Sequence, residues 1–119
     1  LGHITTFGGH PINCAASLAT LEHLLAANVM QKVDEKEQLF RLHLKNPKIK
    51  EIRGKGLMLA IEFEDEELAK KVVEQSLENG LILFYFLFTK TAIRITPPLN
   101  ISEKELIKGC KIIKAILEA

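Results

Sequence analysis

The stretch "IKEIRGKGLMLAIEFED", Ile49 to Asp65, decides how this chain is organised. Ile49 and Ile52 flank a short extended piece. Gly54 and Gly56 permit a tight turn or bulge, and Leu57, Leu59, Ile61 and Phe63 recur at the two-residue period of a strand with one buried face. The pattern predicts a hairpin. Asp65 then opens "DEELAKKVVEQSLENG", a predicted helix with acids in its first turn, an apolar face of Leu68, Val72, Val73 and Leu77, and Gly80 as a left-handed cap. Beyond it "LILFYFLF" and "AIRIT" read as two further strands joined by a polar "TK" turn. Pro97 and Pro98 stop the second of these strands. Ser102 and Glu105 then form a capping box for a last helix that turns Leu106, Cys110, Ile113 and Leu117 inward.

Working back toward the start, Pro11 suits the first turn of a helix, where the amide proton it lacks has no partner. Ile12, Leu18, Leu21 and Leu25 give that helix an apolar side, and Cys14, Ala15, Ala16 and Ala19 keep the remainder small. A break is expected at Ala26 to Asn28. Val33, Leu39, Phe40, Leu42 and Leu44 then mark a second helix ended by Pro47, with "DEKE", Asp34 to Glu37, as its solvated face. Strand pairs alternating with helices predict an α/β fold: an α+β two-layer sandwich with a small, mainly antiparallel sheet and helices on one face. There is no internal repeat and no low-complexity segment.

The 119 residues are enough for one domain with a real core, and a composition of 47% apolar and 26% charged residues is globular. Sixteen Lys and Arg are interspersed with fifteen Asp and Glu, for a net charge of +1, and Trp is absent. No basic stripe or stacking platform results, which argues against nucleic acid as a partner. The longest apolar run, Leu81 to Phe88, is far short of the ~20 residues that span a bilayer, so no membrane partner is expected. Cys14 and Cys110 make no CxxC pair and read as two buried, reduced thiols of a cytoplasmic protein. "LGHITTFGGHP" lacks the basic and apolar regions of a signal peptide. The chain opens on Leu1, not Met, and is expected to be cut from something longer. His3, His10, His23 and His43 lack ligand spacing, so no metal site is expected.

Two stretches remain as chemistry candidates. "TTFGGHP", Thr5 to Pro11, joins two hydroxyls, two glycine amides and a helix start. It is either a plain loop or an anion site suited to phosphate. In "AIRITPPL", Ile93 and Ile95 face one side of a strand and Ala92, Arg94 and Thr96 the other. Arg94 either points to water or presents its forked donors to a carboxylate.

Taken in order, "TTFGGHPINCAASLATLE", "RGKGLM" and "IRITPPLNISEKEL" resemble the C-terminal portion of class III pyridoxal-phosphate-dependent aminotransferases, most closely the ornithine/acetylornithine group. The resemblance implies the C-terminal small domain of such an enzyme over residues 29–119. Residues 1–28 would be a loop and connecting helix of its larger cofactor domain. It implies that Thr6, with Thr5 beside it, binds the phosphate of pyridoxal phosphate held by the neighbouring subunit of a homo-oligomer. Arg94 would receive the carboxylate of an amino acid that gives its amino group to a 2-oxo acid. The family's reactive lysine, its pyridinium-binding aspartate and its glycine-rich phosphate loop lie upstream of the threonine motif. The resemblance therefore names no catalytic residue in this chain, and the chain alone is expected to be inactive with weak or no cofactor binding. His10 stands where the family pattern has Asn, and "LILFYFLF" is more aromatic than the family's corresponding strand. From the residues alone, the alternative is a free-standing α/β interaction module without catalysis. With Ile12, Leu18, Leu21 and Leu25 uncovered, self-association through the first helix is also expected.

Overall fold

A computed structural model describes residues 5–26 and 28–119; His3 and Ala27 lie outside the described residues. The chain divides into two compact units, Leu1–Gln31 and Lys32–Ala119. In the first, helix α1 (Pro11–Ala26) begins at the proline, as the missing amide proton favours. The helix buries none of its own residues, and Cys14 on it is exposed, contrary to the expectation of two buried thiols. Asn28 takes a left-handed φ of 49° just beyond it, a conformation that Asn tolerates better than most residues.

The second unit runs α2 (Val33–His43), β1 (Ile49–Lys55), β2 (Met58–Phe63), α3 (Glu66–Glu78), β3 (Phe84–Tyr85), β4 (Ala92–Ile95) and α4 (Glu103–Glu118). Its four strands form one antiparallel sheet in the order β1-β2-β4-β3. Leu59, Ile61 and Phe63 of β2 and Ile93 and Ile95 of β4 point to one face. There they form a single buried core with Phe40 and Leu44 from α2, Ala69 and Val72 from α3, and Leu106, Cys110, Ile113 and Leu117 from α4. The two-residue period of the strands and the helical period of α4 thus meet in one layer. Burial pushes the Cys110 thiol up to about 12, so it stays protonated.

The hairpin turns where the glycines allow it. Gly54 has φ +119° and Gly56 φ +59°, and a Cβ at Gly54 would collide with the Met58 carbonyl oxygen. The predicted caps are present: Gly80, just past α3, holds a left-handed φ of +77°, and Ser102 caps the start of α4. Asp65 accepts from the Leu68 amide at 2.7 Å, and Ser102 and Glu105 close a reciprocal capping box. Hydrogen bonds from the Ser102 hydroxyl and then the Ser102 amide hold the Glu105 carboxyl below its ordinary range.

Three local expectations are corrected. "LILFYFLF" contributes only two laddered residues, Phe84 and Tyr85, at the sheet edge. Leu81 and Leu83 pack on the core, while Leu87 and Phe88 are left almost wholly exposed. On α3 the inward positions are Ala69, Val72 and Ser76, with Leu77 exposed. The "DEKE" run is no simple solvated face. Lys36 is buried and donates to the Leu99 carbonyl at 2.6 Å. Glu37 accepts from the Gly56 amide at 2.5 Å and from Arg41 Nε at 2.9 Å. Arg41 in turn donates to the Ile52 and Gly54 carbonyls, so one ion pair on α2 ties down the hairpin turn.

The Gly56 amide, and next the Arg41 side chain, hold the Glu37 carboxyl below its ordinary 4.5. A lowered folded value means that the carboxylate's stabilisation is complete above the unfolded value and is lost as pH falls through the folded one. Glu37→Gln is expected to destabilise the protein by about 1.5–3 kcal/mol at neutral pH. It should also flatten the fall in stability on acidification below pH 4.5. Urea unfolding at a series of pH values measures both effects.

Candidate functional site

In the first unit, Thr5 to His10 forms two successive turns. The Gly8 amide donates to the Thr5 carbonyl at 3.3 Å, and the His10 amide donates to the Phe7 carbonyl at 3.2 Å. The His10 carbonyl then accepts the Cys14 amide at 3.0 Å, joining the turns to α1. Any Cβ at Gly8 would strike the Thr5 hydroxyl oxygen, and Gly9 holds φ +77° with open space where a side chain would be. The two glycines thus let backbone approach the hydroxyl closely and keep the outside of the turn bare. Thr5 and Thr6 are both exposed. Hydroxyls, side-chain-free amides and a 16-residue helix start form a donor set that fits an anion such as phosphate.

In the second unit the sheet leaves one face without helices, and the register fixes what stands there. Arg53 pairs with Ala60, Ala60 with Arg94, and Arg94 with Phe84. Directly opposed residues share a face, so the two arginines flank a small alanine with their Cα atoms about 10 Å apart, two strand spacings. A depression of about 330 Å³ opens over this row, bounded by Arg53, Met58, Ala60, Phe86, Arg94 and Thr96.

Each arginine of this face lies over an aromatic ring: Arg94 is 5.4 Å from the centre of Phe84, and Arg53 is 6.0 Å from that of Phe86. Their charges differ in circumstance. Arg53 Nε is paired with Glu62 Oε2 at 2.9 Å, and the third arginine of the sequence, Arg41, is paired with Glu37 at 2.9 Å. Among the described residues, Arg94 alone of the three has no carboxylate partner. An exposed guanidinium with its fork free, beside a depression floored by alanine, is suited to take a carboxylate from outside the chain. No group of three His, Cys, Asp or Glu among the described residues is placed to hold a metal ion.

The family model described as aminotransferase class III matches residues 1–117. The chain belongs to the class III aminotransferase family. Class III aminotransferases as a family are pyridoxal-phosphate-dependent. This class III chain is 36% identical over 120 residues to the acetylornithine aminotransferase of Caldanaerobacter subterraneus subsp. tengcongensis, a match covering 97% of the chain and 30% of that protein. It is 34% identical over 124 residues to the 4-aminobutyrate aminotransferase of Mycobacterium leprae, covering 94% of the chain and 28% of that protein. Among solved structures, the acetylornithine aminotransferase of Elizabethkingia anophelis superposes with a TM-score of 0.83 at 31% identity, covering 99% of the chain and 32% of that structure. The chain therefore spans about 30% of the length of the relatives it matches.

Of the residues singled out from the sequence, Thr5 and Thr6 lie together in the opening turns of the first unit, and Arg94 lies on the helix-free face of the second. Arg53, Phe84 and Phe86 were missed as neighbours of Arg94. The signal existed: a turn closing on Lys55 and Met58 sets Arg53 opposite Ala60 and so on the side that Arg94 shares.

Proposed function

We propose that this chain is the C-terminal part of a pyridoxal-phosphate-dependent transaminase that moves an amino group from an amino acid, such as ornithine or acetylornithine, to a 2-oxo acid. The observation that carries the reading is Arg94: an arginine with no carboxylate partner among the described residues, held by a strand whose alternate residues anchor the core. The names of the relatives support it. Acetylornithine and 4-aminobutyrate differ in length and side chain, yet each carries an amino group and a carboxylate. A guanidinium suits the carboxylate that both carry.

In this reading residues 29–119 are the small domain, and residues 1–28 belong to the cofactor domain. Thr6 and Thr5 donate to the phosphate of pyridoxal phosphate in the neighbouring subunit of a dimer. When bound, that cofactor supplies the electron sink that makes a C–H bond beside the amino group acidic. Arg94 binds the donor's carboxylate and fixes where the amino group sits, and then does the same for the 2-oxo acid. The reactive lysine is on polypeptide outside this chain. Two free thiols fit a reducing compartment, the cytoplasm.

The test is to read the coding sequence upstream of Leu1 and assay its product. An in-frame segment with a glycine-rich loop and a lysine, whose product transfers amino groups to 2-oxoglutarate, is the expected result. A promoter and start codon immediately before Leu1 would instead establish the free-standing module.

A further inference from the structure

Phe84 stands directly opposite Arg94 across the β3–β4 ladder, and the guanidinium carbon lies 5.4 Å from the centre of its ring. A cation over a ring is drawn to the negative face of the ring, whereas a carboxylate is gripped by the N–H groups of the guanidinium. The two contacts are compatible. A long side chain without such support samples many orientations, and ordering it when a ligand arrives weakens binding.

We propose that Phe84 is a positioning residue for Arg94: its ring holds the guanidinium over the helix-free face and so sets how tightly that arginine takes a carboxylate. The inference rests on Arg94 as the carboxylate receiver. Arg53 provides the contrast on the same face. It too lies over a ring, but its Nε is already committed to Glu62, so aromatic support there serves no free fork. Phe84 is 53% exposed and lies outside the buried core, so its contribution to the fold is small beside that of Ile61 or Ile93.

The test uses the 119-residue chain labelled with nitrogen-15, with the Arg94 Nε–H resonance assigned by its loss in Arg94→Lys and glutarate as the carboxylate probe. In the unchanged chain this resonance should be displaced by the ring current of Phe84 and should move on titration with glutarate. Phe84→Ala should return it to the position of a free arginine and weaken glutarate binding about two- to fivefold, as expected for losing an exposed cation–π contact. Phe84→Leu keeps apolar bulk without a ring and should behave like Phe84→Ala. Phe84→Tyr should restore both shift and affinity. If Phe84→Leu leaves the resonance and the glutarate affinity unchanged, the positioning role is overturned. A ring-current shift that responds as described, in a chain whose Arg94 signal ignores glutarate, overturns the carboxylate reading instead.

Discussion

In the transaminase proposed for this chain, loaded with pyridoxal phosphate, Arg94→Ala is expected to lower kcat/KM for a carboxylate-bearing amino donor on the order of 10²-fold. Losing one partner of a hydrogen-bonded charge pair at a binding site costs about 2–5 kcal/mol, and each 1.36 kcal/mol is tenfold in rate. The lower part of that range applies, because Arg94 stands exposed on an open face in this chain. The loss should fall chiefly on KM, since in that proposal the guanidinium grips a carboxylate that is present before and after the chemistry. Arg94→Lys should recover only part of it, because an ammonium keeps the charge but not the planar fork. The fold should be unaffected. Ile93 and Ile95, on either side of Arg94, carry the buried contacts of β4, and the arginine side chain adds none. Steady-state kinetics beside a thermal melt checks both halves; a variant within about threefold of the parent would remove Arg94 from the site.

Phe63→Ala is the second large effect, on stability. Phe63 is 1% exposed at the end of β2, and it is the largest fully buried side chain of the core. Truncating a buried phenylalanine costs about 3–5 kcal/mol, partly as lost transfer energy and partly as the cavity left behind. Against a total stability of ~5–15 kcal/mol, that is a large fraction. Phe88 provides the control, being 96% exposed; its replacement by alanine should move stability by no more than ~0.5 kcal/mol. Urea unfolding followed by circular dichroism separates the two. A cost below about 1 kcal/mol for Phe63→Ala would mean that β2 does not face the core as described.

What could be read from the residues depended on whether local chemistry or tertiary packing decided the outcome. The hairpin was legible because glycines at 54 and 56 can take the positive φ that the turn needs, and because Leu57, Leu59, Ile61 and Phe63 recur at every second position. The helix starts at Asp65 and Ser102 were legible for a similar reason: the side chain that opens each helix sits within three residues of the amide it satisfies. "LILFYFLF" misled because strand-forming residues need a partner strand, and β4 offers only a short ladder at this edge. Leu77 misled because Ser76, one position back, faces the core and carries it past Leu77. The ion pair of Glu37 and Arg41 was hidden, since its work is on the backbone of a turn many residues further along the chain. Thr5, Thr6 and Arg94 were singled out by their own chemistry, and the order of three motifs suggested a role for each. The free fork of Arg94, in contrast, became visible only once Arg53 and Arg41 could be seen to be paired.

The most direct measurement on the carboxylate role of Arg94 pairs a change in the residue with a change in the donor. Activity would be compared for ornithine and for 1,4-diaminobutane, which is ornithine without its carboxylate, in the parent protein and in Arg94→Ala. The account predicts that the substitution lowers kcat/KM for ornithine on the order of 10²-fold and leaves that for the diamine nearly unchanged. Equal losses for the two donors would contradict it.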